Sequence, residues 1–182
     1  MRLFFALPLP DAIQRELASL RTDLGKARWA PAAQLHVTLR FLGEVDDETA
    51  DRVVAEVTAD RQAAPWPTLR LAVRGLELFG GLRRPRVLFA GLVPKEPVGI
   101  VAASIERSVV RAGLAPEARP FVAHVTLARF ARADTGRLSA FLRDRASFAT
   151  EAFDVPEAIL YRSTLTPSGA VHTPLHRFPT GS

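Results

Sequence analysis

The tetrapeptide His-Val-Thr-Leu occurs twice, in LHVTLRF at 35–41 and in AHVTLARF at 123–130, with its two histidines 88 residues apart in a chain of 182. In the first copy Leu35, Val37, Leu39 and Phe41 alternate with His36, Thr38 and Arg40. Strict alternation over seven residues predicts a strand with one buried and one polar face. The surroundings repeat as well: residues 2–41 and residues 86–130 both read strand, helix, motif strand. Such a chain reads as a degenerate duplication, and twin halves pack about a pseudo-twofold axis, each contributing one motif to whatever lies there. A chain of this length forms one compact unit, so we expect a single domain over residues 1–182.

The remaining elements follow from periodicity and punctuation. RLFFAL at 2–7 predicts a strand closed by Pro8 and Pro10, and Ile13, Leu17, Leu20 and Leu24 predict a helix stopping at Gly25. A second helix is expected from Asp46 and Asp47 to about residue 60, ending before Pro65-Trp66-Pro67. TLRLAVRGLEL and PRVLFAGL predict two strands joined through the loop FGGLRRPR, and Val98, Val101, Ile105 and Val109 a helix up to Gly113. The second motif strand is expected near 121–130, followed by a helix around 135–146 with Leu138, Phe141 and Leu142 inward. Pro167-Ser168-Gly169 between two β-like runs predicts a terminal hairpin. The fold class is α+β.

Residues two apart on a strand share a face, so His36 points with Thr38 and His124 with Thr126. Two imidazoles with two hydroxyls between them suit in-line displacement at phosphorus. One imidazole takes a proton from the attacking water while the other protonates the leaving oxygen, and an ordinary pKa near 6.5 lets both forms coexist near neutrality. The hydroxyls donate to the non-bridging oxygens, where charge builds. Other chemistries fit poorly. Without cysteine there is neither a thiol nucleophile nor a thiolate metal site, and no His-x-x-x-His helix is present. His172 and His176, four residues apart in an extended run, stand about 13 Å apart and read as surface or rim residues with no role. There is no Gly-x-Ser-x-Gly and no phosphate-binding glycine loop, so neither a serine hydrolase nor ATP use is indicated.

The arginines add secondary candidates. Only Lys26 and Lys95 are lysine, so 22 of the 24 basic residues are arginine, in a chain of net charge +5. Guanidinium forks suit phosphate. Arg40 has the parity of His36 and faces the cleft if its strand is regular; Arg129 has the parity of Val125 and faces away unless a bulge re-aims it. Both are candidates for contact with phosphate or an RNA backbone, as is the cluster Arg83, Arg84 and Arg86. Phe4, Phe5, Trp29 and Trp66 are possible base platforms, although most aromatics in such a chain are core. No apolar run reaches the roughly 20 residues of a membrane helix, and the first residues lack the features of a secretory leader, so a cytoplasmic protein without a membrane partner is expected. A monomer suffices, since the duplication already supplies the twofold site.

The paired HVTL motifs, with RLFFALPLP before the first and LYRSTLTPSGAVHTPLHRF after the second, resemble the 2H phosphoesterase superfamily, and within it the bacterial RNA 2′,3′-cyclic phosphodiesterases, also called 2′-5′ RNA ligases. The resemblance covers nearly the whole chain. It implies two pseudo-symmetric lobes of antiparallel sheet with outer helices, one motif strand per lobe facing a central cleft. It also implies an activity that uses neither metal nor ATP nor any other cofactor: opening a 2′,3′-cyclic phosphate at an RNA end, tRNA fragments included, to leave a 2′-phosphate, with 2′-5′ joining as the reverse. By the same resemblance His36 is the proton donor to the departing 3′ oxygen, His124 takes the proton from water, and Thr38 and Thr126 bind the phosphate. Arg129 falls in the family's second-motif segment HVTLAR. Two alternatives share these residues: opening of a small nucleotide's cyclic phosphate, and non-catalytic binding of RNA ends.

Overall fold

The computed structural model describes residues 1–167 and 169–181. The chain runs β1 (Arg2–Pro8), α1 (Asp11–Ala18), β2 (Gly25–Trp29), a 3₁₀ turn (Ala32–Gln34), β3 (His36–Glu44), α2 (Asp47–Ala63), β4 (Leu69–Phe79), β5 (Val87–Val93), α3 (Lys95–Arg111), β6 (His124–Ala133), α4 (Thr135–Asp144), β7 (Phe153–Val155), β8 (Glu157–Thr166) and β9 (Gly169–Pro179). Among the described residues nine strands join one antiparallel sheet of order β7-β4-β5-β6-β3-β1-β8-β9, with β2 on the β3 side of β6. The α+β class expected from the sequence is the one found.

The sheet's two halves meet at one place. β3 and β6 share a single paired position, Val37 opposite Val125, the central valines of the two motifs. Outward from that seam, β1 and β8 flank β3 as β5 and β4 flank β6. Beyond Val125, β6 turns its edge to β2, with Arg28 opposite Arg129 and Lys26 opposite Arg132, and Ala30 N–H donates to the Leu127 carbonyl at 2.8 Å.

The helices cover one face. Val98, Val101, Ile105 and Val109 of α3 and Val53 and Val57 of α2 are buried with Val37, Val125, Leu127 and Leu71 in one continuous core. Asp46 caps α2 by accepting from Thr49 N–H at 2.7 Å, and Asp134 caps α4 by accepting from Arg137 N–H at 3.0 Å, so both helices start where a short acidic side chain can satisfy a free amide. Trp66, from the Pro-Trp-Pro break, is core: its indole N–H donates to Ser104 Oγ at 2.7 Å, and that hydroxyl donates to Asp60 at 2.6 Å.

Several expectations need correcting. The first helix ends at Ala18, not Gly25; Leu20 and Leu24 are buried from the turn that follows it. Gly25 instead opens β2 with φ of 91°, where a Cβ would come within 2.6 Å of the Asp134 amide nitrogen. That close approach explains the glycine better than a helix stop does. Neither β2 nor the three-residue β7 has a sequence signature long enough to read. The second motif strand starts at His124 rather than 121. In the last helix Leu138 and Phe141 are buried, with Leu142 only partly so. The terminal hairpin forms as β8 and β9, and Ser168 of the expected Pro167-Ser168-Gly169 turn lies outside the described residues.

Trp66→Phe should keep the packing but leave the buried Ser104–Asp60 pair without its indole donor. A loss of about 1–2 kcal/mol in urea unfolding is expected.

Candidate active site

Because Val37 and Val125 point into the core, His36, Thr38, His124 and Thr126 lie together on the opposite face. Continuing the antiparallel register one step each way sets Thr126 across from His36 and His124 across from Thr38. The four groups thus alternate around the seam, imidazole next to hydroxyl. His36 Nε2 lies 3.1 Å from Thr38 Oγ1.

Both rings are held in the same way. His36 Nδ1 is 2.8 Å from the Gln34 carbonyl and His124 Nδ1 is 2.6 Å from the Val122 carbonyl, in each case two residues back. A carbonyl only accepts, so each Nδ1 carries a proton and each neutral ring leaves its Nε2 lone pair for the site. The first tether is itself anchored: Gln34 Nε2 donates to the Ala170 carbonyl at 2.6 Å, joining the motif strand to the terminal hairpin. Aromatic rings wall both histidines. Phe4 lies 5.2 Å from His36, and Phe79 and Phe89 lie 5.0 and 5.3 Å from His124.

Burial dominates the electrostatics. It pushes His36 down to about 4, helped by His172 and then His124, while the Gln34 carbonyl pulls the other way. Burial also lowers His124, with a smaller contribution from the Arg129 charge. Each imidazole is therefore neutral near pH 7 in the free protein.

The two motif strands carry a bulge at the same residue. Thr38 pairs with Ala6 and Arg40 with Phe5, leaving Leu39 unpaired; Thr126 pairs with Phe89 and Ala128 with Leu88, leaving Leu127 unpaired. The leucine of His-Val-Thr-Leu is the extra residue in both, and beyond it strand parity reverses. Arg40 is consequently not on the histidine face as expected. It turns toward α3, where Nε donates to Glu106 at 2.5 Å and the remaining nitrogens reach the Phe41 and Ala115 carbonyls, leaving its side chain 10% exposed. Arg129 moves the opposite way: Leu127 and Ala128 are both buried, and Arg129 emerges exposed beside His124. Its positional twin, five residues after the other histidine, is Phe41, which is 49% exposed and 5.7 Å from Phe4.

His172 was not expected here. Its ring stands 5.6 Å from His36, edge to face, and 4.9 Å from Phe4, and its buried Nδ1 has no hydrogen-bond partner among the described residues. The single signal in the sequence is hairpin register, and register does not reveal that the sheet curls far enough to bring β9 over β1. His176 is exposed beside Phe178. Of the aromatic candidates, Phe5 and Trp66 are core, Trp29 faces Phe141 of α4, and Phe4 is buried behind His36. Among the described residues no cluster of three or more His, Asp or Glu side chains is placed to hold a metal, and no helix is long and apolar enough to cross a membrane.

The chain matches the family model described as LigT like Phosphoesterase over residues 7–89 and 93–172. It belongs to the LigT-like phosphoesterase family. Curated relatives named RNA 2′,3′-cyclic phosphodiesterase include one from Thermus thermophilus, 35% identical over 98% of this chain and 89% of its own length. Another, from Geobacillus stearothermophilus, is 28% identical over 89% of this chain, which spans only 52% of that relative. The fold of this LigT-like phosphoesterase superposes on the crystal structure of TT0787 of Thermus thermophilus with a TM-score of 0.79, at 28% identity over 98% of this chain and 97% of that one. For E. coli LigT complexed with 3′-AMP the TM-score is 0.77, at 26% identity over 100% and 98% of the two chains.

The depressed His36 has a stability consequence. Between its unfolded value near 6.5 and about 4 the unfolded chain binds a proton that the folded one does not, so stability is complete above pH 6.5 and falls as pH drops through that window. On the order of 3 kcal/mol is at stake for this one residue. Urea midpoints measured from pH 7 to 4 should fall less steeply in His36→Phe than in the parent. Arg40→Gln should cost about 2 kcal/mol in the same assay, because it takes the guanidinium donor from Glu106 Oε2 and from two carbonyls.

Proposed function

We propose that this LigT-like phosphoesterase hydrolyses 2′,3′-cyclic phosphate ends of RNA to 2′-phosphomonoesters by two-histidine acid and base catalysis, with no metal or nucleotide cofactor, and that 2′-5′ joining is its reverse. The observation that carries this reading is the matched pair of tethers, Nδ1 of each histidine on the carbonyl two residues back, which turns both Nε2 atoms to one face. We also read the chain as one duplicated domain whose halves each present a motif strand to a central cleft. The topology flanking the Val37–Val125 seam supports that reading.

The cyclic phosphate sits over the seam, with Thr38 and Thr126 hydroxyls donating to its non-bridging oxygens. The arriving anion favours imidazolium and so raises the proton affinity of the burial-depressed rings. Following the family assignment, His124 Nε2 takes a proton from water as its oxygen bonds to phosphorus, and His36 Nε2 delivers one to the 3′ oxygen as the P–O3′ bond breaks. The product is a 2′-phosphate with a free 3′ hydroxyl. Run backwards, the two rings exchange tasks, which is how one site serves both directions. Arg129 adds positive charge on the His124 side, while exposed Phe41 offers a face on which the terminal base can stack.

The test is a short RNA ending in a 2′,3′-cyclic phosphate, incubated with EDTA and without ATP. The parent should yield a 2′-phosphate, and His36→Ala and His124→Ala should each lose about 10²- to 10⁴-fold. No turnover by the parent, or turnover indifferent to both substitutions, overturns the reading. The roles separate with a substrate carrying sulfur at the 3′ bridging position, whose departure needs no proton. It should restore His36→Ala and leave His124→Ala inactive.

A further inference from the structure

β2 and the far half of β6 set like charges directly against each other. Arg28 pairs across the strands with Arg129, and Lys26 with Arg132. Ala27, Trp29, Phe130 and Ala133 of the same strands pack against the core, so the four cations project from the opposite face, the one that carries His124 and Thr126. The extra residue at Ala131 keeps Arg129 and Arg132 on one face although they are three apart. Among the described residues none of the four has an acidic partner. The acids nearest in the chain, Asp23 and Asp134, are both paired with Arg137. By contrast Arg52, Arg107 and Arg111 on the helical side are all ion-paired. Among the same described residues the loop arginines Arg83, Arg84 and Arg86 lack acidic partners too, and the Arg86 carbonyl accepts from Phe130 N–H at 2.9 Å, which fastens that loop to the other edge of β6.

Like charges directly opposite one another on a sheet are destabilising. Two consecutive pairs of this kind, unrelieved by any acid among the described residues, make sense where a polyanion neutralises them. We infer that the ladder Lys26, Arg28, Arg129 and Arg132 is the track for the RNA chain on the 5′ side of the reacting end, so that the substrate is a polynucleotide and not a cyclic mononucleotide. The inference rests on the RNA-end reading for the placement of the cyclic phosphate at the histidines. From His124 to Arg132 β6 extends roughly 25 Å, which is room for several nucleotides of a single strand leading away from the site. The cations form two rungs on one face of two adjacent strands, a strip about 5 Å wide between strand axes, which fits one backbone better than the two of a duplex.

The experiment measures binding, so it is independent of turnover. A fluorescent ten-nucleotide RNA ending in a 2′-phosphate is titrated with the parent and with the triple variant Lys26→Gln, Arg28→Gln, Arg132→Gln across a range of salt. For a single strand each contacted phosphate contributes about 0.7 to the slope of log K against log salt. The triple variant should bind on the order of tenfold or more weakly at low salt, with a slope shallower by about two. Its thermal midpoint in low salt, without RNA, should be higher than the parent's, because the repulsion is gone. A matched variant on the helical side, Arg52→Gln with Arg107→Gln, should leave the slope unchanged. An unchanged slope in the triple variant, or a decamer that binds the parent no more tightly than a 2′-phosphorylated mononucleotide, overturns the inference. A ladder-dependent slope in a protein that opens no cyclic phosphate would sink the catalytic reading and leave the track standing.

Discussion

The structure turns on one cross-strand pair, Val37 against Val125. Four strands lie in sequence on either side of it, and no other paired position joins β3 to β6. Putting both valines inward forces both histidines and both threonines outward onto a common face, because strand parity allows nothing else. The hydrophobic requirement of the core is therefore also what assembles the site: Val37 and Val125 are buried with Val101 and Ile105 in one core, and that packing holds each imidazole across the seam from the other motif's threonine.

The bulge at the leucine of each motif is the second device. It lets two consecutive residues face the core and returns the strand with reversed parity, so that identical motifs are followed by different chemistry. Ala128 fills core where Arg40 anchors to Glu106, and Arg129 emerges where Phe41 does. Two strands with the same motif thereby frame an asymmetric site, with a guanidinium on the side of one histidine and an aromatic face near the other. Asymmetry suits the proposed reaction, in which water enters on one side of phosphorus and the 3′ oxygen leaves on the other.

Burial sets the chemistry of the rings. With aromatic neighbours on one side and a carbonyl fixing Nδ1 on the other, both histidines are neutral with the proton on Nδ1, and the Nε2 of His36 accepts from the Thr38 hydroxyl. The same burial ties stability to pH through His36.

The sequence by itself determined the elements with long periodic patterns, β1, α2, β4, β5 and α3, and the pairing of His36-Thr38 with His124-Thr126. Those depend on local parity and on a repeat, which a string of residues carries in full. It tied the facing of Arg40 to a regular strand and that of Arg129 to a bulge and could settle neither, because a bulge is a mismatch between two strands and cannot be read from one. It missed β2 and β7, short segments whose strand character comes from their partners, and it put His172 at the rim because the curl that carries β9 to His36 is a property of the closed sheet. Local alternation decides which way a side chain points within its strand; only tertiary pairing decides what stands opposite, and the juxtaposition of the two motifs depends on the second.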